Sequence, residues 1–496
     1  MKKLVLLALL CAVNSINSQT MTSLAISESE EYKDEVKAKD IFSIHTTQSG
    51  LTGVVREAKR DLLFDVFDAN LKKTFNKVVE IDKNERFIGE LFFGDEIKFF
   101  TVYAPQKTER IIYCHIFNLT NKSLEKVKLF EASVEKKQAL FSGGNKRQTS
   151  FAISPNGDYF ALTTDNIKKH SNSYTVRVFE ASTLNERYQK TSQEYEEQYY
   201  EHNDLSIDNE ANVYALGKLF LEGRSQKKKG EANYEFMLYK ISEGTVEDLK
   251  IGMEEEHIQS LNISIIENEL HLLGFYSEER AGRIKGGCNF TIDKAQFRIT
   301  SKKFEQLPIE VFEDLYGENR AERKKDKELK SFYVDYVLMD DQKNTYLLAE
   351  EFYITTQYVS TGMNGGYVQT IYHYDDILVF KFNSQGELAW GRSIFKRATS
   401  PSYNAFVKNN QLHVILNSGK NLREKNDGRT KVSQGFLESS ALYDIVYAND
   451  GEVSYDKIQD NSGNTDYVPF FGTYENGTFI MSSAGGGRKN QFMILK

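Results

Sequence analysis

A repeating pair of turns limits the folds open to this chain more than any other sequence feature. The clearest copy starts at Ser150 and reads SFAISPNGDYFALTTDN, followed after a polar stretch by YTVRVFEASTLNERYQK. Alternating apolar residues on both sides of Asn156-Gly157 predict a tight hairpin, and the second segment predicts another pair of strands. Four short antiparallel strands in about 45 residues match one blade of a β-propeller in size.

Both turns recur along the chain. The turn between the first and second strands is predicted at Ser49-Gly50, Gly94-Asp95, Asn156-Gly157, Asn209-Glu210, Glu267-Asn268, Lys343-Asn344, Asn409-Asn410 and Asn476-Gly477. We therefore predict an all-β fold, a single β-propeller of seven or eight four-stranded blades. The number of blades is left between seven and eight because the first two units are the least regular. A large two-sheet sandwich is the structural alternative.

The last unit lacks its fourth strand, because the chain stops at Lys496 just after the third strand QFMILK. An open sheet edge is a liability, and propellers close it with a strand from the other terminus. We expect the N-terminal segment 20–40, through Leu24 to Tyr32, to supply this closing strand. The propeller itself would then span residues 41–496.

Residues 1–19 have the layout of a secretory signal peptide. Lys2 and Lys3 precede the apolar run from Leu4 to Val13, and small and polar residues follow up to Gln19. We expect the mature protein to be exported to the periplasm, the outer surface or the medium. We also expect no transmembrane segment in it, since no later apolar stretch is long enough to cross a bilayer as a helix.

Two cysteines, Cys114 and Cys288, lie beyond the predicted signal peptide. They fall in the third strands of the second and fifth units, which are several blades apart in a closed ring. A disulfide requires Cα atoms within about 7 Å of each other, so two buried free thiols are expected.

One segment departs from the β pattern. The apolar residues of PIEVFEDLY, from Pro308 to Tyr316, are spaced as in a helix, and a charged run to Lys330 follows. We predict a helical insertion at 308–330, between the fifth and sixth blades.

Several of these stretches resemble known propeller repeats. SPNGDYFAL with YTVRVFEAS resembles blades of the WD40-like and TolB-type propellers. The stretch from Cys288 to Asn417, with its helical insertion, tyrosine-rich hairpin, DDILVFKFNSQGELAW and QLHVILN, is most similar to a family of exported bacterial propeller proteins of uncharacterised function. The resemblance implies a propeller in the cell envelope. It implies no activity and no catalytic residues.

Basic residues gather in the loops between second and third strands, although the chain carries a net charge of −8. In a propeller these loops share one face. The candidate ligand-binding residues there are Lys227, Lys228, Lys229, Arg280, Arg283, Lys285, Lys420, Arg423, Lys425 and Arg429. A surface of one charge sign attracts anions, which predicts a non-catalytic binding or scaffold protein for an acidic glycan, a lipid head group or an acidic protein. Solvation of long exposed loops explains the same residues without a ligand.

The corresponding loop of the sixth unit carries tyrosines. Tyr358, Tyr367 and Tyr372 lie on both arms of a predicted hairpin with the tip TGMNGG. Tyrosines give contact area at low entropic cost, which suits a recognition surface. Packing of a two-stranded ribbon on its neighbours accounts for them equally well.

An enzyme is the alternative function, a hydrolase or lyase acting on polysaccharide or peptide at the mouth of the central channel. Such a site needs titratable groups that converge from different blades, and Asp204, Asp335 and Glu256 near the starts of inner strands are the candidates. The sequence contains no phosphate-binding loop, no nucleophile elbow and no zinc helix motif. No cofactor and no metal are predicted, and the net acidity argues against nucleic acid as a partner.

Overall fold

The chain forms a ring of eight blades in the computed structural model, each built on four antiparallel strands, and the sheet of blade six is extended to six strands by Arg423–Glu424 and Thr430–Val432. The structure describes residues 24–34, 41–58, 60–134, 149–167, 172–193, 198–228, 231–252, 257–279, 282–360, 366–435, 438–462, 466–483 and 489–496. The predicted all-β propeller is therefore confirmed, with eight blades and not seven, and the sandwich alternative is wrong. The predicted signal peptide at 1–19 lies outside the described residues.

Each blade runs from an inner strand, next to the central channel, to an outer strand. In that order, the first four blades consist of Ile41–Thr46, Thr52–Ala58, Asp61–Phe67 and Lys73–Glu80; Glu85–Phe93, Glu96–Tyr103, Glu109–Asn118 and Leu124–Ser133; Thr149–Ile153, Tyr159–Ile167, Asn172–Glu180 and Glu186–Gln193; Tyr199–Ile207, Val213–Phe220, Tyr234–Ile241 and Val246–Ile251. The last four consist of His257–Ile266, Glu269–Ser277, Gly286–Asp293 and Arg298–Gln306; Phe332–Met339, Thr345–Ser360, Gly366–Phe382 and Leu388–Lys396; Tyr403–Lys408, Gln411–Gly419, Ser440–Tyr447 and Val453–Asp460; Thr473–Glu475, Thr478–Ser482, Phe492–Leu495 and Ile26–Glu28.

The predicted hairpin turns are confirmed by the backbone. Left-handed φ angles occur at Gly50, Gly94, Gly157, Glu267, Lys343, Asn409 and Gly477, all within the predicted turns. In blade four the left-handed residue is Ala211, beyond the predicted Asn209-Glu210. The Asp208 carboxylate accepts hydrogen bonds from the amides of Glu210 and Asn212, at 3.0 and 2.8 Å, and this carries the turn one residue further.

The N-terminal segment closes the ring as predicted. Ile26–Glu28 pairs antiparallel with Phe492–Leu495 as the outer strand of blade eight. A second short pairing joins Tyr32–Lys33 to Lys489–Asn490. The first and last parts of the chain therefore share one sheet, which removes the open edge.

The helical insertion is present between blades five and six, as two short helices, Ile309–Tyr316 and Glu318–Lys324. Val311, Phe312 and Leu315 are buried against blades five and six. Gly317 joins the two helices with a φ of 80°, a conformation that favours glycine. Among the described residues, no helix is both long and apolar enough to span a membrane.

Aromatic and aliphatic side chains fill the spaces between neighbouring blades. Between blades six and seven, for example, Tyr346, Trp390 and Leu416 belong to one buried cluster. Cys114 and Cys288 are buried in separate clusters as free thiols, which confirms the prediction. Burial raises the pKa of the Cys114 thiol to about 12 and that of Cys288 further still, so both thiols stay protonated.

Candidate functional site in the central channel

The inner strands carry a repeated irregularity that turns side chains toward the channel. In five blades the inner strand has one extra residue opposite its neighbour, a β-bulge: Phe42, Ile88, Asn203, Gln259 and Asp335. A bulge bends its strand and redirects a side chain, and bulges are common next to active sites. All of these residues except Phe42 line one of the two cavities described below.

The first cavity, the channel cavity, has a volume of about 800 Å³ and lies between the inner strands of blades two, three, four and six. Its carboxyl groups are Asp204, Asp335 and Glu350. Asp204 and Asp335 are two of the three candidates from the sequence. The third, Glu256, lies outside the described residues.

Asp204 is half-buried on the inner strand of blade four. Its carboxyl oxygens accept hydrogen bonds from two backbone amides, that of Leu205 at 2.9 Å and that of Ile263 in blade five at 2.8 Å. Burial outweighs these bonds and raises the pKa of Asp204 to about 6. The two amides fix the position of the carboxyl group while leaving it able to change protonation near neutral pH.

Asp335 is the bulge residue of blade six and is exposed to the channel. Its Oδ2 accepts a hydrogen bond of 2.8 Å from the hydroxyl of Tyr403, on the inner strand of blade seven. Burial raises the pKa of Asp335, and the Tyr403 hydrogen bond acts in the opposite direction by stabilising the carboxylate. The exposed side chain of Asp335 lines the channel cavity.

Glu350 stands on the second strand of blade six and is buried. Its Oε1 accepts a hydrogen bond of 2.6 Å from Nζ of Lys396, which also donates to the Tyr374 carbonyl at 2.7 Å. Burial raises the pKa of Glu350 to about 7, and Lys396 limits the increase. The nearby Asp335 charge raises the pKa of Glu350 too, so the two carboxyl groups influence one another electrostatically.

A neutral histidine and several aromatic rings complete the cavity wall. Burial lowers the pKa of His202 to about 4, and its Nδ1 is hydrogen-bonded to the Tyr174 hydroxyl at 3.0 Å. Tyr333 and Phe352 pack edge to face at 6.3 Å, and Phe352 contacts Tyr374 at 5.0 Å. Tyr333 is 60% exposed, so its ring is open to a ligand.

The second cavity, the rim groove, has a volume of about 480 Å³ and lies between blades four, five and six. Two predicted ligand-binding residues, Lys227 and Arg283, line it. A third basic residue, Lys218, lines it as well and was missed because it lies within a strand and not in a loop.

The structure places the remaining basic candidates near carboxylates or against other protein groups. Lys228 pairs with Glu222; Lys285 lies 3.6 Å from Glu278; Lys420 lies 3.1 Å from Asp460; Arg423 lies 3.0 Å from Glu438; Arg429 lies 2.8 Å from Asp427; and Lys425 packs over the Phe395 ring at 5.4 Å. Lys229 and Arg280 lie outside the described residues. Most of the described candidates thus have a local counter-charge, and the rim groove is where Lys227 and Arg283 meet.

The tyrosine hairpin projects from blade six. Its arms pair as far as Ser360 and Gly366. Tyr372 is 49% exposed on the hairpin, while the side chains of Tyr358 and Tyr367 lie outside the described part of the structure. The hairpin is confirmed as a structure, and its role in recognition stays a prediction.

Three residues of the channel site were not identified from the sequence: Glu350, Lys396 and Tyr403. Each stands in a strand whose pattern resembles that of its neighbours, and the three come from different strands of blades six and seven. These three residues come together only when the strands pair and the blades pack, and no local sequence motif predicts that. Within the described ranges, no group of three or more His, Cys, Asp or Glu side chains is arranged to hold a metal ion.

No protein-family model matches the chain, and no curated protein matches it. Solved structures that resemble it include the polysaccharide lyase Uly1, with 8% identity and a TM-score of 0.39 over 92% of this chain and 89% of that one. An oligogalacturonate lyase from Vibrio parahaemolyticus has 10% identity and a TM-score of 0.40 over 93% and 98% of the two chains.

Prolyl oligopeptidase B from Galerina marginata has 11% identity and a TM-score of 0.42 over 90% of this chain and 56% of that one. The chain thus spans about half the length of that protein. The strand pairing defines the class, an eight-bladed β-propeller with an acidic channel site.

Proposed function

We propose that the chain is an enzyme that cleaves a polysaccharide, as a hydrolase or a lyase, at the channel site. One observation carries this proposal: Asp204, Asp335 and Glu350 reach one cavity from two blades, and burial raises the pKa of each. Clusters of carboxyl groups with raised pKa values are typical of acid–base catalysis, because a catalytic group works best when its pKa is near the working pH.

The environments of two carboxyl groups fit opposite roles. Asp335 is open to the channel, and the Tyr403 hydroxyl stabilises its ionised form, which suits a base. Glu350, with a pKa of about 7, still holds a proton in a large fraction of molecules at neutral pH, which suits an acid. The base takes a proton from water in hydrolysis, or from a sugar carbon in elimination, while the acid protonates the leaving glycosidic oxygen.

The aromatic rings favour a sugar over a peptide. Tyr333, Phe352 and Tyr374 line the cavity beside the carboxyl groups. Sugar rings present apolar C–H faces that pack on aromatic side chains, while their hydroxyl groups bind carboxyl groups and amides. The channel cavity offers both kinds of surface side by side.

The test is cleavage of a panel of acidic and neutral polysaccharides by the purified protein. New reducing ends without ultraviolet absorbance indicate hydrolysis, and reducing ends with absorbance from a new carbon–carbon double bond indicate elimination. We expect Asp335→Asn and Glu350→Gln each to lower kcat at least about 100-fold. The matched control is Asp341→Asn, an exposed carboxylate in the turn at the other end of blade six, which should keep full activity. The proposal fails if no polymer is cleaved, or if the two site variants cleave as fast as the control.

A second candidate function is non-catalytic binding of an acidic glycan, a lipid head group or an acidic protein. It is favoured by the meeting of Lys227 and Arg283 in the rim groove. This function predicts salt-dependent binding without turnover, and with no effect of Asp335→Asn on affinity. Loss of affinity in that variant argues for the channel site instead.

Export to the cell envelope belongs to the same proposal. The signal-like segment 1–19 and the resemblance of the stretch from Cys288 to Asn417 to a family of exported bacterial propeller proteins support it. Mass spectrometry of the protein purified from a bacterial periplasm tests it. We expect a mature chain that begins near residue 20, and a chain that still begins at Met1 in the cytoplasm contradicts export.

A further inference from the structure

The rim groove and the channel cavity lie side by side and share part of their walls. Asn203, Tyr333 and Val334 line both of them. Asn203 is the bulge residue of blade four, and Tyr333 and Val334 directly precede the bulge residue of blade six. A chain-like ligand bound in the channel cavity can therefore extend past these residues into the groove.

The two cavities differ in charge. The groove is lined by the cationic side chains Lys218, Lys227 and Arg283 against the single carboxylate of Glu201. The channel cavity has carboxyl groups, with Asp204 only one residue from the shared Asn203. An anionic group of a ligand therefore fits the groove and is repelled by the ionised groups of the channel.

Of the three cations that line the groove, Lys218 most strongly favours an anionic ligand. Its Nζ stands 4.1 Å from the centre of the Tyr234 ring and donates a hydrogen bond of 3.4 Å to Gln226. Burial lowers the pKa of Lys218 to about 8, although it is still mostly protonated at neutral pH. A partly desolvated ammonium group gains more from an anion than an exposed one does, because water screens the interaction less.

The groove wall also provides neutral hydrogen-bonding groups. Gln259, Asn262 and Ser260 from the inner strand of blade five line it. The Ser260 hydroxyl is buried without a hydrogen-bond partner among the described residues. Such groups suit the hydroxyls of a sugar unit better than the fatty chains of a lipid surface.

We infer that the rim groove is a subsite for an acidic sugar unit, carrying a carboxylate or a sulfate, of a polysaccharide whose neighbouring glycosidic bond lies in the channel cavity. The inference rests on the proposed function for the position of the bond. What it adds is the class of substrate, a polyanionic glycan that binds through Lys218 and Arg283.

The experiment measures binding without turnover, by calorimetry on the Asp335→Asn variant. The probes are a hexamer of uronic acid, a sulfated hexasaccharide and a neutral glucose hexamer. We expect the uronic acid or the sulfated probe to bind at least tenfold more tightly than the neutral one, with an affinity that falls as salt rises. Whichever acidic probe binds identifies the anionic group.

Charge removal in the groove then locates the site. Adding Lys218→Gln and Arg283→Gln should weaken binding of the acidic probe at least tenfold and remove most of its salt dependence. The matched control adds Arg298→Gln and Lys302→Gln, two exposed cations on the outer strand of blade five, and should bind like the parent. Equal melting temperatures of the two sets show that the fold is intact.

The failures of the two proposals are distinguishable. If the neutral hexamer binds as tightly as the acidic ones, or if the groove variant binds like the control, the inference is wrong whether or not the protein cleaves polysaccharide. If acidic probes bind in the groove but the unmutated protein cleaves no polymer, the groove subsite stands and the proposed catalysis fails.

Discussion

Asp34 of the N-terminal segment accepts two hydrogen bonds of 2.7 Å from the guanidinium group of Arg56 in blade one. Lys73 donates to the same carboxylate at 2.8 Å, and the side chain of Asn490 in the last blade also donates to it. Arg56 and Asp34 are both buried. One carboxylate therefore connects the N-terminal segment, the first blade and the last blade at the point where the ring closes.

Replacing Asp34 with alanine should destabilise the whole ring. Arg56 and Lys73 would both keep Asp65 as a partner, at 2.5 and 3.0 Å, but both would lose the Asp34 carboxylate, so two cations would share one counter-charge. Removal of one partner from a buried ion pair typically costs about 3–5 kcal/mol. Urea unfolding of Asp34→Ala measures the loss. The control is Glu30→Ala, an exposed carboxylate on the same segment, which should unfold like the parent, and equal midpoints for both variants would contradict a closing role for Asp34.

Glu90, on the inner strand of blade two, should make stability fall as pH rises. Burial raises its pKa from 4.5 to about 8, helped by the charge of Glu475 and opposed by that of His45. Between these two pH values the native carboxyl holds a proton that the unfolded chain has released, so raising the pH disfavours the native state. His45 is itself hydrogen-bonded to Glu475 at 2.7 Å, and this pair raises the pKa of His45.

Comparison of the parent with Glu90→Gln isolates this contribution. The amide cannot ionise, so the variant should gain stability relative to the parent by about 3.5 kcal/mol between pH 5 and pH 8. Unfolding free energies at matched pH values provide the measurement. A difference between the two proteins that does not change with pH would show that Glu90 is ionised in the native state.

Tyr403 should set the pH dependence of the channel site through Asp335. In Tyr403→Phe the carboxylate loses its 2.8 Å hydrogen bond, so the pKa of Asp335 should rise. The limb of the pH–rate profile that reports Asp335 should move to higher pH. Tyr336→Phe removes a neighbouring hydroxyl that donates to the Tyr403 carbonyl at 3.4 Å, and it should leave the profile in place. Identical profiles for both variants would remove Asp335 from the catalytic groups.

Two glycines with the same backbone conformation should respond differently to substitution. Gly386 and Gly157 have φ angles of 72° and 75° in hairpin turns. A Cβ atom at Gly386 would stand 1.8 Å from Nδ2 of Asn289, whereas one at Gly157 would meet nothing within 4 Å. Gly157→Ala should cost about 1 kcal/mol for the left-handed backbone, and Gly386→Ala about 2–3 kcal/mol because Asn289 must also move. Equal costs in thermal unfolding would show that the turn at Gly386 relaxes freely.

The parts of the site that could be predicted were those with a local signature. Asp204 and Asp335 were found because the repeat locates the starts of inner strands, and those starts face the channel. Glu350 and Lys396 were not, because their 2.6 Å contact joins the second and fourth strands of blade six. The basic loops were correctly located along the sequence, but the Asp460 carboxylate that accompanies Lys420 comes from the outer strand of blade seven.

The sequence by itself determined the blade, its turns and the way the ring closes. Each blade is encoded by alternating apolar residues and tight-turn residues within about 45 residues of sequence. Because this pattern is local, it can be recognised in each copy of the repeat. Only the tertiary structure decided which charges are neutralised, which carboxyl groups keep a proton and where two cavities share their walls. Those properties depend on burial and on contacts between blades distant in sequence, and a pKa responds to these surroundings more than to the residue's own neighbours along the chain.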